Sequence, residues 1–154
     1  IVYNVPKQQA IDIINGNQYQ FVGDSILLEE GALQNFHLKP GRIAQQLNVA
    51  TRVLDGIFQQ DMFYQFNNRK ILMLDRTMDM EPLEEKIKLD LVIISKDPKL
   101  SIAALVKLFN CTQFVFDGSN PAWKIRKWQQ ECRLQHLNYH SIPEAGAFIY
   151  NVGI

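Results

Sequence analysis

An alternation of apolar strands and helices in the second half of the chain constrains the fold more than any other feature. The runs "LDLVIIS" (89–95) and "QFVFD" (113–117) are apolar enough for buried strands, and "LSIAALVKLFN" (100–110) between them has helical spacing. A strand, a helix and a strand in this order predict two parallel neighbouring strands joined by a right-handed crossover. The pattern continues with a helix and two closing strands, at 121–135, 137–142 and 146–152.

The first half of the chain has the pattern of an antiparallel β-meander. Asn15-Gly16 separates two β-type runs, and this dipeptide is the strongest short-range signal for a hairpin. Alternation along the first run places Ile11 and Ile13 on one side of the strand and Asp12 on the other. The predicted strands of the meander are 1–5, 9–14 and 18–24.

The pattern between these two regions is weaker, and residues 25–60 receive no assignment. Strands are predicted at 63–66 and at 70–75, where "KILMLD" is a continuous apolar run. A short helix is predicted at 82–88, because Pro82 suits a first helical position. Taken together, the chain is predicted to have an α/β (α+β) fold. Its mixed sheet would combine the N-terminal meander with a βαβαβ C-terminal part.

Composition excludes several classes of protein. A chain of 154 residues that is 47% hydrophobic fits one globular domain. Sixteen basic and sixteen acidic residues cancel, so nucleic acid would have to bind a local patch. No apolar run is long enough to span a bilayer. The two cysteines, Cys111 and Cys132, are read as buried thiols at helix ends, with a disulfide between them left open. With no initiator methionine or signal-peptide pattern, we expect a single soluble domain, 1–154, excised from a longer protein.

The stretch "DGSNPAWKIRKWQQEC" (117–132) is predicted to be the start of a packed helix. Asn120 would be the N-cap and Pro121 the first helical residue. A buried stripe at helical spacing would contain Pro121, Ile125, Trp128 and Cys132. Trp123 and Lys127 project away from that stripe. A phosphate site at this turn is the weaker alternative, because the glycines or the Gly-Lys-Ser/Thr ending of known phosphate loops are missing.

Candidate catalytic residues are few. Asp75 ends a buried strand, as in phosphatases with an aspartate nucleophile, but Thr77 stands where the second carboxylate is needed. Asp24 and Asp97 also lie near strand ends, where carboxylates could gather. The histidines, His37, His136 and His140, have no metal-site spacing. We therefore predict no metal and no cofactor, and regard the three aspartates as weak catalytic candidates.

Four ordered segments carry a resemblance to a known family. They are the opening strands at 2–25, "KILMLD" (70–75), "KLDLVIISKDPKL" (88–100), and 111–152 with its strand, Asn-Pro turn, helix and final Gly-Ala strand. This order resembles the metallo-β-lactamase-like domain at the C-terminus of ComEC-type competence proteins, the inner-membrane channels for DNA uptake. The resemblance implies a truncated metallo-β-lactamase-like half-fold.

The departures from the family imply a degenerate, metal-free site. The motif His-x-His-x-Asp-His is absent after the opening strands. Ser95-Lys96-Asp97-Pro98 stands where the family has His-His-Gly-Ser. Asp75 would match the bridging aspartate and Asp24 an early strand-end aspartate, but neither has histidines to work with. Two-metal hydrolases need several such ligands to activate water.

The resemblance implies a non-catalytic accessory domain of a DNA-uptake protein that is anchored in the inner membrane. The domain would be extracytoplasmic (periplasmic), would not insert into the membrane itself, and would contact single-stranded DNA, a partner protein or the channel part of the same protein. The candidate DNA-binding residues are Trp123, Lys124, Arg126, Lys127 and Arg133. Two alternatives stay open. One is a small nuclease or phosphatase using Asp75 and neighbouring carboxylates with Mg²⁺, and the other is a protein-interaction module using the helix at 121–135.

Overall fold

The computed structural model describes residues 1–79 and 81–153. The strands of this part are β1 (Ala10–Asn15), β2 (Gln18–Gly23), β3 (Asn48–Val49), β4 (Ile57–Gln60), β5 (Phe63–Phe66), β6 (Arg69–Leu74), β7 (Ile87–Leu89), β8 (Leu91–Ile94), β9 (Phe109–Cys111), β10 (Phe114–Phe116) and β11 (Tyr139–Ser141). The helices are α1 (Ala32–His37), α2 (Lys39–Ala44), α3 (Ile102–Leu108), α4 (Ala122–Leu134) and α5 (Ile142–Ala145), with a 3-10 helix at Ser25–Leu28.

The largest sheet has six strands in the order β11-β10-β8-β6-β5-β4. Its first four strands are parallel, and β5 and β4 continue it as antiparallel neighbours. The predicted parallel pairing of the two central runs is confirmed, with Val92 opposite Phe114. The predicted N-terminal hairpin is also confirmed, because β1 and β2 pair antiparallel around Asn15 and Gln18. The mixed sheet and its helices confirm the α+β class.

Two buried clusters hold the large sheet between a layer of helices and the small sheet β1-β2-β3. On one face, side chains such as Val92 and Phe116 pack against Ile125 and Trp128 of α4 and against α3. On the other face, side chains such as Ile93 pack against β1 and β2. The strands of the large sheet are apolar on both faces because both faces are covered. A third cluster lies between β1 and the 25–38 segment.

The prediction of a helix at 82–88 is wrong. This segment has no helical turn, and its last residues form β7, which pairs parallel with β9. Every side chain from 82 to 88 is exposed, so no apolar face packs to stabilise a helix of that length. The strand predicted at 89–95 is divided at Asp90 between β7 and β8.

The predictions of strands at the two ends of the chain are also wrong. Residues 1–5 and 146–152 contribute isolated bridges, through Val2 and Phe148, and no ladder. The other closing strand, predicted at 137–142, is shorter than expected, because α5 starts at Ile142. The predicted helix at 100–110 is shorter as well: it ends at Leu108, and the next residues form β9.

Candidate functional site

Helix α4 begins differently from the prediction. Its N-cap position is Pro121, with extended backbone angles, so Asn120 is not the cap. The Asn120 side chain instead joins two loops. Its Nδ2 donates to the carbonyl of Ile94 at 2.7 Å, and its Oδ1 accepts from the amide of Asp97 at 3.0 Å. Proline cannot supply a capping side-chain oxygen, and the helix has no side-chain cap. The buried Asn120 contributes to stability in another way, because its hydrogen bonds connect the ends of β8 and β10.

The inner face of α4 is core. Ile125, Trp128 and Cys132 are buried as predicted, together with Gln129, while Pro121 is half-buried. The Trp128 indole N–H donates to the carbonyl of Leu100 at 3.3 Å. Both cysteines are buried as free thiols, although Cys111 lies in β9 and not at a helix end.

The outer face of α4 carries cations and no acid. Its large exposed side chains recur at helical spacing and are Trp123, Arg126, Lys127, Gln130, Arg133 and Leu134. Trp123 is 60% exposed, which is unusual for a tryptophan. Arg133 donates from Nε to the hydroxyl of Tyr139 at 2.9 Å, which holds its guanidinium near the helix end.

Lys124 stands apart from the other predicted DNA-binding residues. Its side chain is only 13% exposed, and its Nζ lies 2.5 Å from Oδ1 of Asp97. The ammonium group is also near the rings of Trp123 and Trp128, 6.0 and 5.6 Å from their centroids. The Lys124 side chain therefore connects α4 to the loop that contains Asp97, and it lies beside the outer face of the helix, not on it.

The predicted catalytic aspartates each have a local partner. Asp24 accepts from the amide of Gln9 at 2.7 Å and pairs with Lys96 at 3.1 Å. Asp75 pairs with the adjacent Arg76 at 2.9 Å. Thr77 accepts from the amide of Lys99 at 3.1 Å. Within the described ranges, no three His, Cys, Asp or Glu side chains are grouped so that they could hold a metal ion.

A fourth strand-end aspartate, Asp117, is completely buried and was not singled out from the sequence. It accepts from the Ser95 hydroxyl at 2.5 Å, from the Ser119 amide at 3.0 Å and from the Ser119 hydroxyl. Burial raises the pKa of Asp117 to about 6 in spite of these hydrogen bonds. The next residue, Gly118, packs closely on the N-terminal segment, since a Cβ there would lie 2.8 Å from the Val5 carbonyl.

A buried ion pair in the N-terminal layer was also missed. Arg42 on α2 makes two hydrogen bonds of 2.8 Å to Asp12 on β1, and the Tyr3 hydroxyl donates to the same carboxylate. The guanidinium lies 4.0 Å from the centroid of the Tyr19 ring. Alternation correctly placed Asp12 on the side of the strand away from Ile11 and Ile13. Nothing in the sequence, however, indicated that its partner would be Arg42, thirty residues away.

Comparison with family models assigns the chain to a protein family. The model described as the ComEC C-terminal domain matches residues 1–152, almost the whole chain. The chain belongs to the ComEC C-terminal domain family. It is therefore a domain of a ComEC-type competence protein, a class of membrane protein for DNA uptake, and the predicted relationship to the C-terminal domain of ComEC-type proteins is confirmed. Comparison with curated proteins and with solved structures found no match.

Among the residues that the structure describes, the candidate aspartates are not grouped as the ligands of a hydrolytic metal centre. Zinc and magnesium sites use several histidine, cysteine or carboxylate ligands around one ion. Here Asp24 and Asp97 are paired with lysine ammonium groups, and Asp117 is hydrogen-bonded by serines. No reaction step through a metal follows from this arrangement. Among the helices described for the ComEC C-terminal domain, none has the length and apolar character needed to cross a membrane.

Proposed function

We propose that this chain is a single, non-catalytic accessory domain of the DNA-uptake protein, and that it contacts single-stranded DNA through the outer face of α4. The observation that carries the proposal is the composition of that face. It holds an exposed Trp123 and three exposed cations (Arg126, Lys127 and Arg133), while the chain as a whole has no net charge. The one acidic residue of α4, Glu131, points toward α3, where it accepts from the amide of Ile102 at 2.7 Å.

The chemistry of this face suits a single strand better than a duplex. Arginine and lysine pair with phosphates, and an exposed indole stacks on an unpaired base of any sequence. Three phosphate contacts would give a salt dependence with a slope of about −2, because each contact contributes about −0.7 for single strands. Binding should therefore be weak and salt-dependent. Lys124, which pairs with Asp97, lies beside the face and would contribute less than the other four residues.

Several observations support a non-catalytic role. Asp75 is paired with Arg76, and the hydroxyl of Thr77 is engaged by a backbone amide, so neither is disposed as an acid–base partner for a hydrolase. Two stacked sheets with helices on both outer sides agree with a degenerate metallo-β-lactamase-like half-fold. Within this proposal the domain faces the extracytoplasmic side and lies near the channel part of the same protein.

The test is a fluorescence-anisotropy titration of a labelled single-stranded oligonucleotide at two salt concentrations. Trp123→Ala should weaken binding by a factor between about 5 and about 150, corresponding to the 1–3 kcal/mol typical of a base–aromatic stack. Arg126→Gln/Lys127→Gln should weaken it and lower the salt slope. Lys107→Gln, an exposed lysine on α3, is the matched control and should change nothing.

Two results would contradict the proposal. The first is the absence of binding at low salt, which would favour the alternative that the domain is a protein-interaction module. The second is an equal loss in Lys107→Gln, which would show that binding does not depend on the outer face of α4.

A further inference from the structure

The two flanks of α4 beside its outer face differ in the charge that they offer to a phosphate. On the flank toward α3 and the β8 loop, the Lys124 ammonium group pairs with Asp97 at 2.5 Å. The carboxylate of Glu131 lies on the same flank, where it accepts from the amide of Ile102 at 2.7 Å. One cation is neutralised there and one carboxylate is present, so this flank does not attract a nucleic-acid backbone.

The opposite flank, which faces β11 and α5, carries two arginines. Arg126 and Arg133 are seven positions apart, so they lie on the same side of the helix about two turns from each other. Neither guanidinium forms an ion pair with another of the described residues. Glu144 of α5 bounds this flank, and its carboxylate accepts from the buried Gln129 at 2.9 Å. Both arginine charges are therefore available to an anion.

Tyr139 of β11 holds one of these arginines in a fixed position. Its hydroxyl accepts from Nε of Arg133 at 2.9 Å, and the guanidinium carbon lies 5.6 Å from the centroid of its ring. The ring is itself anchored, because it stacks on the buried Phe116 with 6.3 Å between the centroids. The bond to Nε leaves both terminal nitrogens of Arg133 for the bidentate contact that arginine makes with phosphate. A guanidinium that is already oriented loses less side-chain entropy on binding.

We infer that a single strand lies along the β11 flank of α4, with its phosphates on Arg126 and Arg133, and that Tyr139 positions Arg133 for this contact. The inference rests on the proposed function and adds to it the path of the strand. The bases face the crest of the helix, where Trp123 and Leu134 are 60% and 74% exposed. From Trp123 to Arg133 the helix rises about 15 Å, which corresponds to about four nucleotides at the stacked spacing of about 3.4 Å.

A double-mutant cycle measured by fluorescence anisotropy tests the positioning role. The probe is a labelled oligodeoxythymidine of about eight nucleotides, which is longer than the segment that α4 can hold. Tyr139→Phe keeps the stacked ring and removes only the hydroxyl. It should weaken binding by about two- to tenfold, as expected for one lost hydrogen bond, and leave Tm unchanged. Tyr139→Phe/Arg133→Gln should bind no more weakly than Arg133→Gln alone, because Tyr139 acts through Arg133, and additive losses would overturn the positioning role.

The salt dependence of binding tests the path of the strand. Arg126→Gln and Arg133→Gln should each reduce the salt slope by about 0.7, because each removes one phosphate contact to a single strand. Lys124→Gln, on the other flank, should leave the slope unchanged, and a reduction equal to that of the arginine variants would contradict the path. Tyr150→Phe is the matched control and should bind like the wild type, since its ring also stacks on a phenylalanine, but on the opposite face of the large sheet.

An NMR measurement without DNA separates this inference from the proposed function. The Nε–H group of Arg133 should be protected from exchange with water in the wild type and should exchange rapidly in Tyr139→Phe. Rapid exchange in the wild type would show that Arg133 is not held in place, whatever the domain binds. If Trp123→Ala weakens binding but Tyr139→Phe does not, the inference fails while the proposed function stands. Absence of binding by the wild type at low salt would contradict both.

Discussion

Truncation of the two tryptophans of α4 is expected to change the free energy of unfolding by very different amounts. Trp128 has 0% exposure, its indole N–H is bonded to Leu100, and its ring lies 5.5 Å from that of Phe116. Trp128→Ala removes this ring from the core and leaves a cavity. The free energy of unfolding should fall by about 3–5 kcal/mol, as for other large-to-small changes of buried aromatic residues.

Trp123→Ala is the matched control, because the same residue type is changed in the same helix, five positions away. Its exposed ring should contribute less than about 0.5 kcal/mol to stability. Urea unfolding followed by far-ultraviolet circular dichroism measures both variants without depending on tryptophan fluorescence. Equal losses, or a larger loss for Trp123→Ala, would refute the assignment of the inner and outer faces of α4.

Two further predictions concern buried charges. The pKa of Asp117 is raised from 3.8 to about 6, so its stabilising contribution is complete below the lower value and is lost as the pH rises through the upper one. Relative to Asp117→Asn, the wild type should lose about 1 kcal/mol of unfolding free energy between about pH 5 and about pH 7.5. If the unfolding free energies of the wild type and of Asp117→Asn change in parallel with pH, Asp117 does not titrate in this way. Arg42→Met leaves the Asp12 carboxylate buried and unpaired and should cost about 3–5 kcal/mol in urea unfolding. The double variant Asp12→Asn/Arg42→Met should cost less, and a single-variant loss below about 1 kcal/mol would contradict the importance of this pair.

The parts of the fold that could be predicted are those with a strong local pattern. The runs that became β8 and β10 are continuous apolar segments because their side chains enter cores on both faces of the sheet. The β1–β2 hairpin has a turn dipeptide and alternating burial. Both signals are contained within about ten residues, so a single sequence reveals them.

The segment from 25 to 60 could not be predicted because its elements are short and depend on distant contacts. α1 and α2 have six residues each, and β3 has two, which is too short for intrinsic preference to decide. Arg42 fixes α2 through Asp12, and the sequence contains no sign of that pairing. The "KPG" at the start of α2 resembles a helix break, yet proline is tolerated in a first turn.

The candidate site was predicted in part for the same reason. Helical spacing separated the inner face of α4 from the outer one. Spacing does not reveal that Lys124 reaches Asp97, since this contact depends on a loop with two left-handed residues. Nothing in the sequence marks Asp117 as buried, because its burial depends on contacts with Ser95 and on the close approach of the N-terminal segment to Gly118.

The most direct test of the proposed DNA contact is an NMR titration of the ¹⁵N-labelled domain with a single-stranded oligonucleotide at low salt. The account predicts that the indole N–H of Trp123 and the amides of Arg126, Lys127 and Arg133 shift together, and that the shifts diminish as salt is added. The indole N–H of Trp128, which is buried on the opposite face of the same helix, should not shift. Shifts confined to another surface such as α1 and α2, or no shift at any oligonucleotide concentration, would contradict the assignment of this face to DNA.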